Sequence, residues 1–261
     1  MGADALVRLA AQLYTVREFL KTPEAIAESL RKIREIGYRA VQASGLGPID
    51  AAEFKRLADR EGLDICATHV GYEDLLHRLD EVIEKHRVWE CKYVGLGSLP
   101  ERYRGDRAGY AAFAKEVTGI GAKLREAGLT FVYHNHDFEF AKHDGKTGMD
   151  VLFEETGADA VDFELDVYWV QAGGADPIEW IRKVDGRMKV VHFKDMAITP
   201  QREQRFAEVG EGNMNFRGIL SACEEIGVEW AAVEQDLCYG RDPFESLAIS
   251  FTHLTAMGAK A

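Results

Sequence analysis

The chain has 261 residues, of which 46% are hydrophobic, and its formal net charge at pH 7 is −12. This length allows either one large domain or two small ones, each with a full core. An acidic surface repels phosphate backbones and anionic lipid, so the composition argues against nucleic acid and membranes as partners. No run reaches the roughly 18 apolar residues that a membrane span requires.

The N-terminal stretch and the cysteines both point to a cytoplasmic protein. The sequence MGADALVRLAAQLYTV has no charged head followed by a long apolar stretch, so no signal peptide is predicted. Cys66, Cys91, Cys223 and Cys238 show no CxxC spacing. We interpret them as small buried residues in a reducing compartment.

Short apolar runs alternate with helical patterns along the whole chain. The first two helical patterns, TPEAIAESLRKIREIG and IDAAEFKRLADREG, begin after a capping Thr or Asp and end at glycine. Two later helical patterns begin with Asp-Pro. The apolar runs have the length and composition of buried strands. They span residues 7–14, 38–44, 63–70, 91–97, 129–135, 160–166, 188–195 and 229–236.

Eight strand-then-helix units with short joins predict a closed, parallel (β/α)8 TIM barrel that forms a single domain over residues 1–261. The rival is an open doubly wound sheet, but no GxGxxG motif follows the first strand. After the seventh strand, MAITPQREQRFAEVGEGNMNF is expected to form a long active-site loop. Sites in such barrels lie at the C-terminal ends of the strands.

Polar side chains end the last four predicted strands, which finish HNHDFE, ELDVYW, VHFKD and VEQD. Carboxylates that converge at one end of a barrel repel one another unless a cation neutralises them. Carboxylates combined with imidazole suit divalent ions, and no thiolate is placed to favour a softer metal. The sequence therefore predicts a divalent metal ion, with Mn²⁺ preferred and Mg²⁺, Co²⁺ or Zn²⁺ as the other candidates.

The chain resembles the sugar phosphate isomerase/epimerase family of xylose isomerase-like TIM barrels over essentially its full length. The motifs that carry the resemblance are LAAQLYTVRE, YHNHDFEF, LDVYW, VHFKD, GEGNMNF and VEQD, in that order. The resemblance implies a divalent metal held by Glu, Asp, His and Glu from the fifth to the eighth strand. It assigns the last three places to Asp166, His192 and Glu234.

The fifth strand departs from this family pattern, because His134 stands where the family has its first glutamate ligand. Alternation along a strand places His134 and His136 on the same face. Our working prediction is that Glu139 turns back to the metal while the histidines bind substrate hydroxyls. The alternatives are that His134 or His136 is the ligand and Glu139 binds the sugar, or that the stretch is only a polar turn.

Six residues are predicted to contact substrate. Lys194 can neutralise an oxyanion or a phosphate, or it can pair with Asp195 or Glu164. A structural role explains His69 equally well, and core packing explains Trp169. The six candidates are Gln12, His69, His134, His136, Trp169 and Lys194.

These features predict a metal-dependent sugar isomerase or epimerase that acts through an enediolate. Proton abstraction beside a carbonyl needs a Lewis acid, a base, and an acid or second base opposite. Glu139 and Glu234 are predicted to be the acid/base pair. With one base and a leaving group on the β-carbon, the same site would make the protein a lyase or dehydratase of a keto-sugar, keto-glycoside or inosose.

The expected partner is a small sugar or keto-sugar, and a homo-oligomer is also considered because barrels of this type often associate. Two remote alternatives are an endonuclease and a non-catalytic sugar-binding barrel. The acidic charge counts against the endonuclease, which needs a basic DNA groove. A sugar-binding barrel has no need of a stoichiometric metal.

Overall fold

The computed structural model describes residues 7–261, and the domain prediction for residues 1–6 lies outside them. Eight parallel strands form one sheet, in which strands one to six pair in chain order, the first strand also pairs with the eighth, and the eighth pairs with the seventh. The two end strands meet through a bridge between Asp166 and His192, which brings the barrel to closure. The strands are β1 (Arg8–Gln12), β2 (Ala40–Ala43), β3 (Asp64–His69), β4 (Tyr93–Leu96), β5 (Thr130–His134), β6 (Val161–Glu164), β7 (Val190–Phe193) and β8 (Trp230–Val233).

Helices follow the strands and cover the outside of the barrel. Four helices begin at the Thr or Asp residues that the sequence analysis identified. At each of these positions, as at Thr22 and Asp50, the side chain accepts a hydrogen bond from a backbone N–H group. No helix among residues 7–261 is long and apolar enough to cross a membrane. The helices are α1 (Pro23–Ile36), α2 (Ala51–Glu61), α3 (Tyr72–His77), α4 (Leu79–Trp89), α5 (Arg107–Glu126), α6 (Gly148–Glu155), α7 (Val167–Ala172), α8 (Pro177–Lys183), α9 (Phe216–Glu225) and α10 (Pro243–Met257). The predicted single TIM barrel is confirmed.

The inside of the barrel changes from apolar to polar along the strands. Inward side chains near the strand starts, such as Ala40 and Val190, belong to a small apolar cluster. Two residues further along the same strands stand Gln42 and His192, both 0% exposed. Because side chains alternate between the two faces of a strand, this spacing keeps them inside the barrel. The polar layer therefore lies at the C-terminal end, where sites of this fold form.

The segment after β7 is not the long loop that the sequence predicts. Asp195–Ile198 pairs antiparallel with Gln204–Ala207 to form a hairpin. Only one residue, Lys194, separates its first strand from β7, so the apolar pattern gives no boundary between the two. The Asp195 carboxylate accepts four backbone N–H bonds, one from Met196 within the hairpin and three from Gly210, Gly212 and Met214 beyond it. One buried carboxylate thus holds most of the GEGNMNF stretch in place.

The four cysteines are free thiols in the structure. Cys66, Cys91 and Cys223 are buried, as the sequence predicts, whereas Cys238 is only half-buried. Burial raises the pKa of the Cys91 thiol to about 12, so this residue stays protonated and unreactive.

Candidate metal centre

Four side chains from four consecutive strand ends meet inside the barrel. His134, Asp166, His192 and Glu234 each offer a ligand atom, and these atoms all lie within 4.8 Å of one another. None of the four residues is more than 7% exposed. The structure therefore brings together the three residues that the resemblance assigns, and the fourth member of the group is His134.

His192 faces this group with one specific ring nitrogen. Its Nδ1 atom lies 3.1 Å from Oε2 of Glu234 and 3.9 Å from Oδ2 of Asp166. Its Nε2 atom lies 2.7 Å from Oε1 of Gln42. Burial opposes protonation of His192, but the nearby Glu164 and Glu234 carboxylates raise its pKa to about 10. The nitrogen that points to the group is Nδ1.

His134 is also held through both ring nitrogens. Its Nδ1 atom lies 3.1 Å from the carbonyl oxygen of Gly97, and its Nε2 atom lies 3.3 Å from Oδ2 of Asp166. A carbonyl oxygen only accepts, so Nδ1 of His134 donates and Nε2 is left facing the group. Burial lowers the pKa of His134.

Asp166 divides its two oxygens between backbone and site. Oδ1 accepts from the backbone N–H groups of Tyr168 and Trp169 at 2.9 and 3.2 Å and so caps α7. Oδ2 faces His134 and Lys194. Burial would raise the pKa of Asp166, but Lys194 and His134 lower it to about 2. This carboxylate is therefore ionised at neutral pH.

Lys194 lies at the edge of the group, fully buried. Its Nζ atom is 3.1 Å from Asp166, 2.9 Å from Glu234 and 2.5 Å from Asp236. Burial would lower the pKa of Lys194, but these three carboxylates hold it above its ordinary value. Lys194 thus pairs with neither Asp195 nor Glu164, the two partners considered from the sequence.

Glu139 lies outside the group, contrary to the working prediction. Its Oε1 atom accepts from the Tyr133 hydroxyl at 2.5 Å, and its Oε2 atom accepts from the backbone N–H of His136 at 2.9 Å. Burial raises the pKa of Glu139 to about 7, although these bonds lower it. The reason is a short 3₁₀ turn, Phe138–Phe140, which directs Glu139 back to the outward-facing side chain of Tyr133.

A cavity of about 650 Å³ opens beside the group. It is lined by four of the six predicted substrate residues, His69, His134, His136 and Lys194, and by Glu234. Gln12 and Trp169 are not part of this lining.

His136 is held between two aromatic rings at the cavity wall. Its ring stacks on Phe138, with 5.6 Å between centroids, and packs at 5.3 Å from Trp169. Burial lowers the pKa of His136 to about 3, so its imidazole is neutral at pH 7. At this pKa the ring is a weak base, so its role at the cavity wall is to form hydrogen bonds with a bound molecule.

Three predicted substrate residues carry buried polar atoms without a hydrogen-bond partner among the described residues. They are Nε2 of Gln12, Nδ1 of His136 and Nε1 of Trp169. Buried polar atoms are normally paired, so each of these needs a partner such as water or substrate.

Three residues of the site, Gln42, Glu164 and Asp236, are absent from the site residues predicted from the sequence. Glu164 accepts from Gln42 Nε2 at 2.8 Å and lies 2.6 Å from Nε2 of His69. Burial would raise the pKa of Glu164, but His192 and His69 hold it below its ordinary value. Asp236 accepts a hydrogen bond from Nζ of Lys194 at 2.5 Å. The available signal was spacing, because Glu164 and Asp236 stand two residues from Asp166 and Glu234 and so share their inward face.

The residues present fit a divalent cation. Two carboxylates and two imidazoles form a donor set suited to borderline divalent ions. The three carboxylates of Asp166, Glu234 and Asp236 outnumber the cationic side chains of Lys194 and His192 beside them, so the group is net negative. Each imidazole also directs one ring nitrogen toward these carboxylates.

The chain belongs to the xylose isomerase-like TIM barrel family, whose sequence profile matches residues 30–243. An inosose dehydratase from Lacticaseibacillus casei is 27% identical over 247 residues, which cover 80% of this chain and 82% of that protein.

Solved structures show the same fold. A sugar phosphate isomerase/epimerase from Parabacteroides distasonis is 25% identical, with a TM-score of 0.79 over 98% of this chain and 96% of its own. An L-ribulose 3-epimerase has a TM-score of 0.74 at 15% identity, over 97% of this chain and 94% of its own, and shows the shared fold.

Proposed function

We propose that the chain is a divalent-metal-dependent enzyme that removes a proton beside the carbonyl of a keto-sugar or keto-cyclitol. The observation that carries the proposal is the buried group of His134, Asp166, His192 and Glu234 next to a cavity. A divalent ion held by these four residues would supply a Lewis acid for negative charge that develops on substrate oxygen.

Glu234 is the residue that we assign to proton transfer. It is engaged through Oε2, by His192 and Lys194, so its Oε1 atom is free to face substrate. His136 offers a neutral ring at the cavity wall, which we assign to hydrogen bonding with substrate. This assignment keeps Glu234 from the predicted pair and omits Glu139, whose carboxylate is bonded to Tyr133 and to the His136 backbone.

Dehydration is the first candidate reaction. The relative from Lacticaseibacillus casei is named an inosose dehydratase, and an inosose carries a ketone with hydroxyl groups on the neighbouring carbons. Loss of the proton next to the ketone, followed by loss of the hydroxyl on the next carbon, gives an enone and water. One base and a departing hydroxyl are sufficient for this chemistry.

Isomerisation or epimerisation is the second candidate, favoured by the similarity to the Parabacteroides distasonis protein. Both reactions begin with the same proton removal. They differ from dehydration in the next step, because the proton returns to carbon and no hydroxyl leaves. The residue that removes the proton can also return it to carbon.

The test is incubation of the purified protein with an inosose and a panel of keto-sugars in D₂O containing Mn²⁺, followed by NMR. A new carbon–carbon double bond supports dehydration, whereas deuterium at carbon without elimination supports isomerisation or epimerisation. Neither change with any substrate contradicts the proposal. Glu234→Gln should abolish the reaction. The matched control Glu208→Gln should retain it, because Glu208 is equally buried at 7% but pairs with Ser246 and Arg241.

A further inference from the structure

We propose that Gln42 and Glu164 are positioning residues that fix the His192 ring with Nδ1 toward the metal site. This inference rests on the proposed metal-dependent function and extends it to two residues on other strands. Gln42 belongs to β2, whereas Glu164 ends β6 and His192 lies in β7. All three side chains are 0% exposed, so water does not compete for their hydrogen bonds.

The three side chains form one continuous chain of hydrogen bonds. Gln42 Nε2 donates to Glu164 Oε1 at 2.8 Å, and Gln42 Oε1 lies 2.7 Å from His192 Nε2. An ionised carboxylate only accepts hydrogen bonds, so the NH₂ group of Gln42 must face Glu164. The amide oxygen is then directed at His192.

This direction determines which nitrogen of His192 is available. The Gln42 oxygen needs a donor, so Nε2 of His192 must carry a hydrogen. The available nitrogen is Nδ1, which faces Glu234 and Asp166. A flipped Gln42 amide would place its oxygen against the Glu164 carboxylate. The amide oxygen and the carboxylate oxygen would then both lack a hydrogen-bond donor. The network therefore has only one satisfied arrangement.

Glu164 fixes a second ring as well. Its Oε2 atom lies 2.6 Å from Nε2 of His69, at the wall of the cavity. The rings of His69 and His192 stack with 5.2 Å between centroids and 18° between planes. One buried carboxylate thus orients one imidazole toward the metal site and another beside the substrate cavity. Residues that orient a metal ligand typically change metal affinity by about 10–100-fold when mutated.

The first test is Gln42→Met, which keeps the side-chain volume and removes both hydrogen bonds. Mn²⁺ affinity, measured by titration calorimetry on metal-stripped protein, should fall about 10–100-fold. The control is Tyr38→Phe, which removes a buried hydrogen bond to Leu247 O (3.0 Å) away from the site and should leave the affinity unchanged. Equal affinity in a folded Gln42→Met variant overturns the inference but leaves the proposed function intact.

The second test uses the unmodified protein, so it tests the orientation of the His192 ring even if the Gln42 variant does not fold. Nitrogen-15 NMR of the histidine rings in the Zn²⁺-loaded protein should show His192 bound through Nδ1, with its proton on Nε2. Binding through Nε2 overturns the inference alone. Absence of stoichiometric metal binding by the unmodified protein overturns the metal site itself, and the inference with it.

Discussion

Asp166 and His192 pair across the seam where the barrel closes, and their side chains belong to the same buried group. The backbone N–H of His192 donates to the carbonyl of Leu165 at 2.8 Å, which adds to this contact. Among residues 7–261, β6 and β7 contact each other less than any other neighbouring strands do, so the seam is the least connected part of the sheet. A metal ion held by both residues would cross-link this seam.

We therefore expect metal removal to lower thermal stability. A ligand at 100 times its dissociation constant stabilises the folded state by about 2.7 kcal/mol. For a chain of this size that corresponds to a rise in Tm of roughly 5–10 °C. Differential scanning calorimetry with Mn²⁺ and with EDTA measures the difference. Identical Tm values under both conditions would show that no ion binds to the folded state.

Replacement of His134 should weaken metal binding, whereas replacement of Glu139 should not. His134→Ala removes a ligand atom, so Mn²⁺ affinity should fall by more than the roughly 10–100-fold typical of a residue that only orients a ligand. Glu139→Gln should keep one Mn²⁺ per chain, because Glu139 contacts Tyr133 and His136 rather than the group. Elemental analysis after gel filtration distinguishes the two variants. The reverse pattern would restore the prediction made from the sequence.

Most of the fold could be predicted from the sequence, because its signals are local. Strand and helix periods, and caps such as Thr22 and Asp50, depend on neighbouring residues only. Asp166, His192 and Glu234 could be grouped because they lie at or near the ends of predicted strands, where the family resemblance places metal ligands. The position of Glu139 could not, since it depends on how the chain turns after His136. Nor could Gln42, because its partners lie on strands that are distant in sequence.

The Asp195 carboxylate should control the loop that follows the hairpin. Asp195→Ala leaves four backbone N–H groups without their acceptor, and we expect a loss of about 2–4 kcal/mol. Urea unfolding measures the loss, and hydrogen exchange should accelerate at residues 209–214. Glu211→Ala in the same loop should change stability by less than about 0.5 kcal/mol, because Glu211 forms only a surface ion pair with Arg241. Unchanged exchange in Asp195→Ala would contradict this role.

His86 should make the metal-free protein sensitive to acid. Burial lowers its pKa from 6.5 to about 4, while its ring nitrogens contact Thr68 and the carbonyl of Val82. The neutral ring is favoured in the folded state. Its contribution to the free energy of unfolding is therefore complete above pH 6.5 and is lost as the pH falls through 4. This loss lowers the free energy of unfolding by about 3 kcal/mol. Urea unfolding at pH 7 and pH 4.5 should show a smaller loss in His86→Gln than in the unmodified protein. Equal losses would exclude His86 as the group responsible.

The most direct measurement is anomalous diffraction from a crystal grown with Mn²⁺. The structure predicts one peak per chain, surrounded by His134, Asp166, His192 and Glu234, with Glu139 still bonded to Tyr133. No peak at this position, or a peak bound by Glu139 in place of His134, would contradict the account.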